Sequence, residues 1–177
     1  CAADLGIELL VLDDGWFGAR CSDHAGLGDW TPNRTRLPEG IAGLAERMEG
    51  LGMKFGLWFE PEMVNMDSDL YRAHPDWILA TPGRRKSHGR FQYVLDFSRP
   101  EVVEAVYAQM AHILGCAKIS YVKWDMNRSI TECYSAALPP ERQGEVFHRY
   151  ILGVYALYEK LTAQFPEVLF ESCASGG

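Results

Sequence analysis

Short apolar runs that meet carboxylates at or near their C-terminal ends, separated by stretches of helical period, constrain this chain more than any other feature. The runs are residues 7–12, 53–59, 91–97, 119–124 and 168–170, and the acids are Asp13 and Asp14, Glu60 and Glu62, Asp96, Asp125 and Glu171. Runs this short and this apolar read as buried strands. Between them, residues 41–51 carry Leu44, Ala45 and Met48 as a helical stripe closed by Gly50 and Gly52. Residues 67–73 read as a short helix whose Asp67-Ser68-Asp69 start supplies caps and favourable charge. Ser98 is the expected N-cap of a helix over 102–114, with Pro100 in its first turn. Residues 147–165 give the longest helix, ended by Pro166. A short extended piece at 77–79 and a turn at Thr81-Pro82-Gly83 are also expected. Strands joined by helical crossovers imply a parallel sheet, and a doubly wound sheet and a barrel share this local grammar.

Composition narrows the classes. The chain of 177 residues is 47% hydrophobic and 23% charged, which excludes bulk disorder. Its formal charge of -7 argues against a nucleic-acid partner, which wants a basic surface. No run of about eighteen apolar residues encodes a membrane span. The cysteines, Cys1, Cys21, Cys116, Cys133 and Cys173, are odd in number and lack structural zinc spacing. A disulfide scaffold is therefore not expected, and a reducing, cytoplasmic setting is. Sequons occur at Asn33 and Asn127.

The acids at strand ends carry the chemistry. Barrel enzymes place reacting groups at the C-terminal ends of several strands. Alternation puts Lys123 and Asp125 on one face of their strand. A lysine near an aspartate favours the ionised carboxylate, which suits a nucleophile, although a structural ion pair reads the same way. Trp58 and Glu60 also share a face, consistent with sugar stacking or with plain core. Residues 84–90 form a basic run ending in Arg90, either a solvated loop or a loop that meets a polar ligand. Gly26-Leu27-Gly28 lacks the context of a dinucleotide fingerprint, no phosphate-binding loop is present, and Ser175 has no nucleophile-elbow setting. No cofactor and no metal are implied.

Five strings, in order and nearly spanning the chain, carry a resemblance. They are Leu12-Asp13-Asp14-Gly15-Trp16-Phe17-Gly18, Gly56-Leu57-Trp58-Phe59-Glu60-Pro61-Glu62-Met63-Val64, Tyr93-Val94-Leu95-Asp96, Val122-Lys123-Trp124-Asp125-Met126-Asn127-Arg128 and Glu171-Ser172-Cys173-Ala174-Ser175-Gly176-Gly177. Together they resemble the retaining alpha-galactosidases of glycoside hydrolase family 36, in their bacterial form. The resemblance implies an α/β fold that is part of a TIM (β/α)8 barrel, roughly its first half to two thirds and not closed in this chain, with residues 91–97 either one of its strands or an auxiliary extended segment. Residues 1–177 would then be a fragment of the catalytic barrel. An N-terminal β-rich domain, the final barrel units and a C-terminal β-domain would lie outside it.

By the same resemblance, Asp125 matches the catalytic nucleophile. Asp13 and Asp14 look like the pair that binds the galactose 4- and 6-hydroxyls, and Trp58 like the wall of the sugar subsite. Arg90 and Lys123 look like further hydroxyl donors, Asn127 like a contact near the 2-hydroxyl, and Cys173 and Gly176 like the tight end of the subsite. A glycan on Asn127 would fill this cleft. The expected partners are alpha-galactoside oligosaccharides such as melibiose, raffinose and stachyose, and a homo-oligomer is compatible with the family. Alternatives are an alpha-N-acetylgalactosaminidase or a raffinose-type galactosyltransferase of the same fold, or a non-catalytic carbohydrate-binding α/β domain. The family's acid/base aspartate has no match among the carboxylates Glu60, Glu62 and Glu171 and is expected beyond Gly177. The 177-residue chain alone is thus expected to be inactive, checked by assaying the purified chain on an aryl alpha-galactoside; retaining turnover would contradict it.

Overall fold

The computed structural model describes residues 2–173. Its elements alternate in the order expected. Strand β1 (Leu9–Leu12) leads through a long loop to helix α1 (Gly40–Gly50) and strand β2 (Lys54–Phe59). A side excursion follows, made of β3 (Met63–Asn65), a short helix α2 (Asp69–Ala73) and β4 (Gln92–Val94). The chain then runs through α3 (Pro100–Gly115), β5 (Tyr121–Trp124), α4 (Val146–Gln164) and β6 (Leu169–Ser172). Short 3-10 turns at Ala3–Leu5 and Pro140–Glu145 complete it.

Helix boundaries follow local chemistry. The Ser68 hydroxyl accepts the Tyr71 N–H at 3.1 Å and caps α2. Pro100 opens α3, where its missing donor costs nothing. Ser98 does not cap that helix: Arg99 stands at the N-cap position and makes no side-chain cap, while the Ser98 hydroxyl and N–H both bond Asp96 Oδ1. The buried Asp96 carboxylate is the stronger acceptor and takes the serine first. Gly83 adopts a left-handed φ of 71°, and the Arg84 N–H closes the expected turn on the Thr81 carbonyl.

The main sheet is four-stranded in the order β1-β2-β5-β6, and every pairing in it is parallel. The 91–97 run does not join it. Its central residues form β4, which pairs antiparallel with β3, a strand the hydrophobic pattern did not announce. At three residues each, these strands are too short to show a period. Asp96 is accordingly not a strand-end acid of the main sheet. It is sealed in the core, bonded by Ser98 and Ser135.

One face of the parallel sheet makes the core. Phe55, Leu57, Phe59, Val122 and Trp124 point toward helix residues such as Ile41, Val106, Met110, Leu157 and Leu161, and all are buried. The opposite face carries Gly56, Trp58, Tyr121, Lys123, Leu169 and Glu171. It is open at its β6 side, where Leu169 is 64% exposed. The loop after β1 folds an aromatic cluster over the end of β2: Trp16 meets Phe59 edge-on with ring centroids at 5.2 Å, Phe17 stacks on Trp58 at 6.0 Å, and the Trp16 indole N–H bonds the Trp58 carbonyl at 2.9 Å. No helix among the described residues is long and apolar enough to cross a membrane.

Gly153 sets how closely α4 can lie on the segment before α3. A Cβ there would fall 1.9 Å from the Phe97 carbonyl oxygen. In an ordinary helix interior, Gly to Ala stabilises by about 1 kcal/mol. Here Gly153→Ala is expected to reverse that sign and destabilise by about 1–3 kcal/mol through overpacking, as read by urea unfolding.

Candidate active site

The C-terminal ends of the four parallel strands bring Asp13, Asp14, Trp58, Lys123, Asp125, Asn127 and Cys173 to one edge of the sheet, while Arg90 comes from the loop before β4. Register fixes this: Trp58 of β2 lies opposite Lys123 of β5, which lies opposite Glu171 of β6. Registered neighbours project to the same face. Asp13 and Asp14 follow β1 directly, and Asp125 and Asn127 follow β5.

Asp125 is 6% exposed. Its N–H continues the ladder by bonding the Phe59 carbonyl at 2.8 Å, so the backbone that carries it is as fixed as a strand. Three N–H groups converge on its carboxylate: the Trp58 indole at 3.0 Å and the Asn127 amide at 2.7 Å on Oδ2, and the Met126 backbone at 2.9 Å on Oδ1. Every one is a donor, which complements a carboxylate acting only as acceptor. Trp58 is thus brought together with Asp125 and Asn127. It is 3% exposed and orients the carboxylate through its indole N–H.

Lys123 does not bond Asp125. The Asp125 oxygens are already taken by the Trp58, Asn127 and Met126 donors. The long side chain instead crosses to β1 and donates to Asp13 Oδ2 at 2.8 Å. Partial burial opposes the charged form of Asp13. The hydrogen bonds from Lys123 and the Asp14 N–H, with the lysine charge, outweigh it and hold the Asp13 pKa below its usual value. The Asp13 hydrogen bond raises the Lys123 pKa against partial desolvation. The charge of Asp13 adds to the rise, with a smaller contribution from Asp125.

Asp14 has a different partner. Both its oxygens are held by the Arg20 guanidinium, Oδ1 by Nε at 2.9 Å and Oδ2 by Nη2 at 2.7 Å. This fork-to-fork pairing fixes the carboxylate plane while leaving it 39% exposed. Cys173 continues β6 through its N–H to the Trp124 carbonyl at 2.7 Å and accepts the Met126 N–H at 3.1 Å, so it abuts the Asp125 segment; its thiol is free. Arg90 is exposed and its side chain makes no hydrogen bond among the described residues. Gly176 lies outside the described residues.

Glu60 is more than an incidental acid. It is fully buried, with Oε1 accepting the Asn127 backbone N–H at 2.5 Å and Oε2 accepting the Gln92 amide at 2.9 Å. Burial raises its pKa from 4.5 to about 7. The Asp125 charge adds to the rise, and the Asn127 and Gln92 bonds oppose it. Glu62 points elsewhere: it accepts the Trp124 indole N–H at 3.0 Å and the Tyr150 hydroxyl, and fastens the strand end to α4. Glu171 accepts the Tyr121 hydroxyl at 2.5 Å. Asn33 uses its amide within the fold, donating to the Gly18 carbonyl at 2.9 Å. Among the described residues, no group of His, Cys, Asp or Glu is arranged to hold a metal ion. The spacing of the motifs did not announce Arg20, Asn65 or Gln92, because each acts through a fold-dependent contact.

An all-parallel sheet with acids, a lysine and a tryptophan at its C-terminal edge matches a known class. The family model described as Melibiase matches residues 1–177, and the chain belongs to that family. Alpha-galactosidase AgaA of Geobacillus stearothermophilus is 56% identical over 99% of this chain, and Alpha-galactosidase Mel36A of Lactobacillus acidophilus is 48% identical over the same share. The chain spans 24% of the length of each of these relatives. The crystal structure of the GH36 alpha-galactosidase AgaA superposes with a TM-score of 0.97 over 99% of this chain and 25% of its own. Variants of AgaA have been solved in complex with raffinose and with stachyose.

The Glu60 carboxyl generates a pH-dependent prediction. Its folded pKa of about 7 exceeds its ordinary value of 4.5, so the folded state binds the proton more tightly. Stability is therefore full below about pH 4.5 and falls as pH rises through 7. Glu60→Gln is expected to remove a loss on the order of 3 kcal/mol across that window. Urea unfolding of the complete gene product at pH 5 and pH 8, with and without the substitution, measures it.

Proposed function

We propose that this chain is the nucleophile-bearing part of an alpha-galactosidase that removes terminal, non-reducing alpha-linked galactose with retention of configuration. The carrying observation is the Asp125 carboxylate, nearly sealed from solvent, gripped by three donors and set beside the Asp13–Lys123 pair. Raffinose and stachyose, bound by AgaA variants, are the substrate class.

In this reading an oxygen of Asp125 attacks the anomeric carbon while the bond to the leaving oxygen breaks. A second carboxylic acid gives its proton to the leaving oxygen. That acid then takes a proton from water, which displaces Asp125 from the covalent glycosyl-enzyme. The mechanism wants the two carboxyl groups about 5–5.5 Å apart. We assign the acid/base to an aspartate outside residues 1–177. The donors on Asp125 hold it for in-line approach, which turns a bimolecular encounter into a positioned one. Asp13 and Asp14 accept from sugar hydroxyls, Lys123 and Arg90 donate to them, and Asn127 with Cys173 and Gly176 bounds the subsite.

We also read the parallel sheet as part of a (β/α)8 barrel. A strictly sequential strand order, with helices on one face and an open opposite face, fits a barrel wall. A doubly wound sheet would reverse its order at a switch point. In this reading residues 1–177 are one portion of the catalytic barrel, with β-rich domains to either side of it.

Asp125→Ala in the complete gene product is expected to lower kcat on an aryl alpha-galactoside by about 10⁴-fold or more while sparing raffinose binding. Proton NMR of the unsubstituted protein is expected to show the alpha-anomer of galactose forming first. Retained turnover in the variant would remove the nucleophile assignment, and the beta-anomer first would remove retention.

A further inference from the structure

Asn65, the last residue of β3, is fully buried and uses every hydrogen-bonding position of its amide. Its Oδ1 accepts from Arg20 Nη1 at 3.0 Å and from the Leu27 N–H at 2.8 Å. Its Nδ2 donates to the Asp23 carbonyl at 3.0 Å and to the Phe91 carbonyl at 2.8 Å. A primary amide has two donors and an acceptor with two lone pairs, so nothing is left over. No other residue type presents both in this shape.

The two sides of that amide lead to two different groups of the site. Arg20 is 5% exposed, and the nitrogen that reaches Asn65 also donates to the Ala25 carbonyl at 3.1 Å. The rest of its fork grips both oxygens of Asp14. On the other side, Phe91 and Arg90 are consecutive non-glycine residues with positive φ, 61° and 53°. Side chains resist that conformation, and it persists only where surrounding bonds impose it. The kink is a two-residue turn that the Gln92 N–H closes on the Gly89 carbonyl at 3.0 Å, and the bond from Asn65 to the Phe91 carbonyl anchors that turn to the body of the fold on one side. On the other, Arg128 reaches the Gln92 carbonyl at 2.7 Å and the Ser87 carbonyl at 3.1 Å. The kink fixes where the Arg90 side chain leaves the backbone, although among the described residues that side chain has no hydrogen bond to hold it.

We infer that Asn65 is a positioning residue for sugar recognition: one buried amide anchors both the Arg20 fork that orients Asp14 and the turn that presents Arg90. The inference rests on the reading of Asp14 and Arg90 as sugar-binding groups. It adds a residue that touches no substrate and lies outside the strand-end motifs. Asn65 acts at a distance through geometry, so its loss misplaces hydroxyl contacts and leaves Asp125 with all three of its own donors.

The complete gene product carries the test, with 1-deoxygalactonojirimycin as the binding probe and raffinose as the substrate. Asn65→Asp keeps the shape and the acceptor toward Arg20 and Leu27 but loses both donors. It is expected to weaken inhibitor binding and raise KM about tenfold, with kcat changed less. Arg90→Ala is expected to weaken binding too. In the double variant the losses do not add, because Asn65→Asp acts through Arg90. A merely structural amide would give additive losses, or would lower the folded fraction and leave the inhibitor Kd of the folded protein unchanged. Arg20→Lys keeps the charge but loses both the fork on Asp14 and the bond to Asn65, and so tests the other side; it is expected to weaken inhibitor binding roughly tenfold. Additive losses in the double variant, or unchanged inhibitor binding in folded Asn65→Asp or Arg20→Lys, overturn the inference. Failure of the alpha-galactosidase reading shows separately, in unsubstituted protein that neither binds the inhibitor nor releases galactose.

Discussion

The site depends on the register between β2, β5 and β6. Parallel strands pair residue for residue, and a slip of one position turns every side chain to the other face. With Trp58 opposite Lys123 and Lys123 opposite Glu171, the polar residues of three strands share the open face while Phe59, Trp124 and Phe170 share the helix side. The apolar side fixes the register, because Phe59 and Trp124 are both buried. Packing on one face thereby places chemistry on the other. Gly56 is part of the same arrangement: a Cβ there would lie 2.8 Å from that of Tyr121, so the missing side chain lets β2 and β5 pair without splaying.

At the strand ends the problem changes from packing to charge. Carboxylates taken from water must be paired or bonded, and each is met differently. Asp125 takes three N–H donors, Asp13 takes an ammonium, and Asp14 takes a guanidinium fork. Glu60, the deepest of these, has its pKa pushed up to about 7 by burial, with the Asp125 charge adding to the rise. These environments differ in charge and in hydrogen bonding, and the proposed function assigns the acids different roles accordingly. A carboxylate surrounded by donors suits attack on carbon, and paired acids at the rim suit hydroxyl recognition.

Much of this was legible in the sequence. The alternation of apolar runs with helical stripes gave the four parallel strands and three long helices to within a few residues, because burial on one face imposes a period. The strand-end acids were legible because they interrupt apolar runs. What was not legible depends on contacts between distant segments. Lys123 reads as a partner of Asp125 by proximity in sequence, yet its reach carries it to Asp13, 110 residues away. Arg20 and Asn65 sit in no motif, and their roles exist only once the loop after β1 meets the end of β3. The 91–97 run has strand composition but pairs with β3 outside the main sheet, since a short apolar segment does not encode its partner.

The central claim is that Asp125 forms a covalent bond to galactose, and the most direct measurement is to trap that bond. The complete gene product would be treated with a 2-deoxy-2-fluoro-galactosyl donor carrying a good leaving group, digested, and mapped by mass spectrometry. The account predicts one fluorogalactosyl adduct, on the peptide containing Asp125 and on that side chain. An adduct on Glu60, Glu171 or any other carboxylate, or turnover of the donor with no adduct and inverted product, would contradict it.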